Sequence, residues 1–75
     1  MGKITLKKNQ PYLFETNTNV KIQNTMFDKN ATLYVSKTGD LDEPWLEIYP
    51  GKYLNTRVDL YLKQTQYNSI NIPYL

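Results

Sequence analysis

Chemistry at a protein surface starts from nucleophiles, bases and metal ligands, and this chain is poor in all three. Its 75 residues include no His and no Cys. A Ser–His or Cys–His couple therefore cannot be built, and the commonest zinc ligands are missing. Ser36 and Ser69 are the only serines, and neither has a Lys or a carboxylate at a recognisable motif spacing. The acidic stretch Asp40, Asp42 and Glu43 offers the oxygen ligands that calcium takes. It is only a fragment of a calcium loop: Gly39 precedes the cluster instead of sitting inside it, and no Glu follows at the required distance. A solvated loop is the plainer reading. Paired carboxylates for glycoside hydrolysis need a cleft, for which so short a chain has little room. Gly2, Gly39 and Gly51 lie too far apart to cradle a phosphate. The expectation is a protein that is not an enzyme, with no catalytic residues, no metal site and no cofactor.

What remains is aromatic. The segment from Glu43 to Gly51 holds the only Trp and two of the four prolines. A strand alternates its side chains between two faces. Within residues 45–49, Leu46 and Ile48 therefore share one face, while Trp45, Glu47 and Tyr49 share the other. Tyr34 and Tyr61 likewise lie opposite the aliphatic residues of their own strands. Trp and Tyr are enriched at protein interfaces and their hot spots, so these four residues form a candidate contact surface. Two other readings stand beside it: a stacking platform for sugar rings, and plain β-propensity with half-exposed tyrosines or a core that uses both faces of a central strand. Met26 and Phe27, apolar residues in a polar loop, either plug the end of the core or join an interface.

The elements that would position these residues are strands. Residues 3–7 alternate with Ile4 and Leu6 inside. Residues 12–16 form a second strand whose inward face is either Leu13 alone or Tyr12 with Phe14. Residues 20–24 bury Val20 and Ile22, and residues 32–36 bury Leu33 and Val35. Residues 45–49 read as a central strand with Leu46 and Ile48 inside, closed by the turn dipeptide Pro50-Gly51. Residues 58–62 bury Val58, Leu60 and Leu62. Residues 69–72 bury Ile70 and Ile72, and Pro73, lacking an N–H, ends that strand. About seven short strands at intervals of roughly 10 residues predict a single antiparallel β-sandwich, or a partly open barrel, spanning residues 1–75. No window carries a helical stripe.

Composition bounds the function. So small a domain is marginally stable alone and usually recruits a disulfide, a metal or another subunit. With Cys and His absent, oligomerisation or docking on a larger body is the expected staple. The net charge is +2, but only Lys7 and Lys8 are adjacent among the basic residues, and Arg57 is the sole Arg. Nucleic-acid binding wants its basic residues clustered on one face, so it is not the expected role. No apolar run approaches the roughly 20 residues that span a bilayer. The N-terminus lacks an apolar core of the signal-peptide kind.

The segments Leu33-Tyr34-Val35-Ser36, Ile48-Tyr49-Pro50-Gly51, Leu60-Tyr61-Leu62 and Ile70-Asn71-Ile72 resemble strands of small auxiliary virion proteins of tailed phages, of the capsid-decoration and head-fibre-anchor type. The resemblance covers residues 20–72. It implies a β-sandwich without enzymatic activity, assembled in the host cytoplasm and present in many copies on a virion. The implied partner is the major capsid protein or another virion protein. Those proteins have no catalytic residues to carry over. Three functions are thus set against one another. The first is a structural protein contacting its partner through Trp45, Tyr49, Tyr34 and Tyr61, with Met26 and Phe27. The second is a carbohydrate-binding module, and the third a small nucleic-acid-binding barrel that stacks bases on Tyr.

Overall fold

The computed structural model describes residues 2–75 and is all-β, with eight strands. They are β1 (Gly2–Lys7), β2 (Tyr12–Phe14), β3 (Val20–Gln23), β4 (Leu33–Ser36), β5 (Leu46–Ile48), β6 (Tyr53–Thr56), β7 (Leu60–Lys63) and β8 (Ser69–Tyr74). One antiparallel sheet runs β2-β7-β4-β5. The pairs β1-β8 and β3-β6 are also antiparallel. Beyond the end of β8, the Leu75 N–H donates to the Lys21 carbonyl at 2.9 Å, and the Lys21 N–H donates back at 3.2 Å. This reciprocal pair joins β8 to β3 and makes a second layer in the order β1-β8-β3-β6. Eight strands in layers 1-8-3-6 and 2-7-4-5 have the strand order of a jelly roll, two Greek keys wrapped into facing sheets.

The core lies between the layers. Ile4, Leu6, Val20, Ile22, Ile70 and Ile72 come from one sheet, and Phe14, Leu33, Val35, Ile48, Leu60 and Leu62 from the other, with Ala31 beside them. The two-residue period placed all but two of the expected aliphatic residues inside. On β2 it is Phe14 that is buried; Leu13 and Tyr12 are exposed. The Phe14 ring meets the Tyr74 ring edge-on across the layers, with centroids 5.0 Å apart.

Leu46 and Val58 are the two corrections. Leu46 faces the interlayer, opposite Val35, yet it is 61% exposed. The segment expected to be a central strand is the edge of its sheet, so no neighbour covers Leu46. Val58, 55% exposed, precedes β7 instead of opening it. Its N–H and C=O are both engaged by the Thr56 hydroxyl, at 3.2 and 3.0 Å, in a side-chain turn. Such a turn competes with the ladder for backbone groups.

Two further differences concern strand extent. β6 adds a strand between the two expected over residues 45–49 and 58–62. Its inward residues are Leu54 and Thr56, so its apolar alternation is broken. Pro73 does not end β8; it pairs with Lys3 inside the β1 ladder. N–H groups of successive residues point to opposite sides of a strand, so those of alternate residues share one side. The Asn71 and Leu75 N–H groups bond Asp28 and Lys21, away from β1, so the missing N–H of Pro73 also falls on that side and leaves the β1 ladder intact.

Two buried amides brace the sandwich. The Asn24 Nδ2 donates to the carbonyls of Ala31 (2.9 Å) and Ile48 (2.7 Å). Its backbone N–H reaches the Lys52 carbonyl at 2.9 Å. Asn24 thus ties the end of β3 to the entry of β4 and the exit of β5. Gln64 accepts the N–H groups of Gln66 and Tyr67, each at 2.9 Å, and donates to the Leu6 carbonyl at 3.4 Å.

Candidate functional site: the outer face of the β2-β7-β4-β5 sheet

The register assembles the aromatic residues from three strands. Tyr34 on β4 stands between Lys63 on β7 and Glu47 on β5. Ser36 pairs with Tyr61, and Trp45 immediately precedes β5 on the same parity as Glu47. Tyr49 follows β5, and the turn after it is set by Pro50 and by Gly51 at φ +93°. The Lys52 N–H closes that turn on the Tyr49 carbonyl at 3.0 Å. This is type II geometry, for which Pro and Gly are suited at the two central positions. Tyr34, Trp45, Tyr49 and Tyr61 therefore share the outer face, as their spacing predicts.

They are not equally available. The β4–β5 loop folds back over Tyr61: a Cβ at Gly39 would lie 2.9 Å from that ring. Gly39, at φ +75°, is thus needed for both its backbone angle and its closeness. The loop is held by the Ser36 hydroxyl, which accepts the N–H groups of Thr38 and Gly39 at 3.2 and 3.0 Å. The Trp45 Nε1–H donates to the Asp40 carbonyl at 3.0 Å. Tyr34, Trp45 and Tyr61 are half-buried, and Tyr49 is 53% exposed.

Lys63 was missed by the sequence reading. Its ammonium lies 4.6 Å from the Trp45 ring centroid and 5.8 Å from that of Tyr34, within the range of cation–π attraction. The signal was present, because Lys63 lies two residues after Tyr61 and so on the same face. Glu47 supplies the opposite charge. Hydrogen bonding to its carboxylate, and then its charge, raise the Tyr49 phenol above its ordinary pKa.

The acidic loop carboxylates serve the loop. Asp40 Oδ1 accepts the Asp42 N–H at 2.9 Å, and Glu43 Oε2 accepts the Thr38 hydroxyl at 3.1 Å. Among the described residues, no group of three or more His, Cys, Asp or Glu gathers to hold a metal ion.

Met26 and Phe27 lie elsewhere. Their loop is tied to β8 in the other sheet, with Asp28 accepting the Asn71 N–H at 3.0 Å and Lys29 Nζ donating to the Ser69 carbonyl at 3.0 Å. Phe27 packs against the core, whereas Met26 faces solvent. The pair is split, and neither residue joins the aromatic face.

A separate feature opens between the layers, where β5 and β6 are the free edges. Val35, Leu46, Leu54, Val58 and Leu60 line an apolar crevice of about 280 Å³, with Lys37 at its rim.

No protein-family model matches this chain, and no curated protein or solved structure matches it either. The class established is that of the fold, a small all-β sandwich bearing an aromatic outer face.

Proposed function

We propose that this chain is a non-enzymatic structural protein that attaches to a larger protein assembly through the outer face of the β2-β7-β4-β5 sheet. The assembly is a phage virion, and the chain is an auxiliary component carried in many copies on its capsid, head fibre or tail. The observation that carries the reading is the gathering of Tyr34, Trp45 and Tyr49 around Lys63 and Glu47 on one side of one sheet. Aromatic anchors ringed by a few charges are the composition of protein contact surfaces.

The surrounding geometry favours a protein over the other two partners. Lys63 occupies one face of the Trp45 indole and the Asp40 carbonyl holds its edge, so the ring is not a bare platform for a sugar. One Lys beside one Glu gives this face no basic character for a nucleic acid. The resemblance of the four strand segments to auxiliary virion proteins supplies the class of assembly.

Mass spectrometry of purified particles of the virus encoding the chain tests this reading. The expected result is recovery of the chain at a copy number set by particle symmetry, and loss of the Tyr34→Ala/Tyr49→Ala variant from otherwise intact particles. Particles that lack the wild-type chain overturn it.

A further inference from the structure

One end of the space between the two layers opens as an apolar crevice, and the other carries an exposed aromatic side chain at its free edges. At one end stands the crevice between β5 and β6, with Leu46 and Val58 exposed. At the other, β1 and β2 are the free edges. There Tyr12 pairs with the fully buried Leu62, so it faces the interlayer, yet it is 40% exposed because no strand lies beyond it. Tyr12 thus projects from one edge on the same side of its sheet as the groups lining the crevice at the other edge.

Strand direction is compatible with joining these ends. Each layer contains four strands, all antiparallel to their neighbours, so its two edges run in opposite directions. A second copy placed side by side in the same orientation sets its β2 antiparallel to β5 of the first, and its β1 antiparallel to β6. The unpaired N–H and C=O groups of an edge strand are a template for such addition. The charges are of opposite balance. The β1–β2 edge carries Lys3, Lys7 and Lys8 against Glu15. The β5–β6 edge carries Asp40, Asp42, Glu43 and Glu47 against Lys37, Lys52 and Arg57.

We propose that the crevice between β5 and β6 receives Tyr12 of a second copy of this chain, in a head-to-tail association that continues both sheets. The contact uses none of Tyr34, Trp45, Tyr49 and Tyr61, although Glu47 borders both surfaces, and it does not rest on the function proposed above. It joins folded copies: the accessible surface of 4865 Å² is close to the roughly 4800 Å² expected of a compact monomer of this mass. Association is therefore reversible and concentration-dependent. A head-to-tail contact leaves one crevice and one Tyr12 edge unused in every oligomer that does not close into a ring.

Sedimentation velocity of the purified full chain, from micromolar to millimolar concentration, tests the proposal. The wild type is expected to sediment faster as concentration rises, and less so at high salt. Leu46→Lys, at an exposed position, spoils the crevice; Tyr12→Lys spoils the opposite edge. Each variant alone is expected to stay monomeric. Their equimolar mixture is expected to form a heterodimer and nothing larger, because each partner retains one intact complementary edge. Far-UV circular dichroism checks that each variant is folded, and Tyr12→Ser replaces Tyr12→Lys if the latter is not. A wild type that stays monomeric throughout overturns the proposal. So does a folded Tyr12 variant that self-associates like the wild type, since crevice would then meet crevice about a two-fold axis. A mixture that stays monomeric overturns it as well.

Discussion

The Lys63 ammonium sits 4.6 Å from the centre of the Trp45 ring, so the only tryptophan of the chain is covered by a cation from the neighbouring half of its sheet. Lys63→Met keeps the aliphatic stem and removes the charge. The expected loss is about 0.5–1 kcal/mol of stability, the usual size of a cation–π contact at a half-exposed site. Trp45 fluorescence reads it directly: its quenching by a soluble anion such as iodide should fall, because the cation that draws the anion to the indole is gone.

Leu46 and Leu62 face the same interlayer from the same sheet and should respond very differently to truncation. Leu62 is wholly buried, so Leu62→Ala should destabilise by roughly 2–5 kcal/mol. Leu46 is at an open edge, so Leu46→Ala should stay within about 0.5 kcal/mol. Urea unfolding of both variants at low protein concentration makes the comparison.

Asn24 should be among the least replaceable polar residues. Asn24→Ala leaves the carbonyls of Ala31 and Ile48 without their donor. Unsatisfied buried carbonyls each cost about 1–3 kcal/mol, so a loss of roughly 2–6 kcal/mol is expected. Thermal unfolding measures it, and Asn24→Asp, which sets a carboxylate against two carbonyl oxygens, should be worse.

Two glycines with positive φ separate backbone strain from crowding. At Gly51 nothing lies within 4 Å of an added Cβ, so Gly51→Ala should cost only the strain of its backbone angle, about 1 kcal/mol. At Gly39 the same strain is joined by a clash with the Tyr61 ring, and Gly39→Ala should cost more. The difference in their unfolding midpoints, with a changed Tyr61 ring environment by NMR in Gly39→Ala alone, checks this.

The Tyr49 phenol should ionise at a higher pH than a free tyrosine, because ionisation loses the hydrogen bond to Glu47 and sets two negative charges together. Glu47→Gln removes the charge and should bring the titration down. NMR titration of the tyrosine ring carbons follows it.

Side-chain parity was legible in the sequence. Alternation placed Ile4, Leu6, Leu33, Val35, Leu60 and Leu62 correctly, and it put Tyr34, Trp45, Tyr49 and Tyr61 on one side of one sheet. Sheet order was not legible, because a two-residue period is the same in an edge strand and in a central one. Leu46 was therefore given the right face and the wrong burial. β6 was hidden by Thr56, a polar residue on an inward face whose hydroxyl is satisfied by the Val58 carbonyl. Val58 was misplaced by the same turn. Pro73 looked like a terminator because the side of the strand on which its N–H is missing depends on which neighbours exist. Lys63 was legible by parity and was passed over because a lone lysine two residues beyond a tyrosine reads as a solvated charge.

The pairing of β1 with β8 has a consequence for synthesis. A chain leaves the ribosome from its N-terminus, so β1 is the first strand made and its partner is the last. The β2-β7-β4-β5 sheet waits similarly, since β2 and β4 both pair with β7. Of strands consecutive in the chain, only β4 and β5, joined by the loop under Trp45, pair with each other, and β3 and β6 can pair around them once residue 56 has emerged. Pairings between distant segments are slow to form, and until residues 60–75 are free, β1 and β2 lack the strands they pair with. The nascent chain is therefore committed late, and folding should begin at the hairpin that carries the aromatic face.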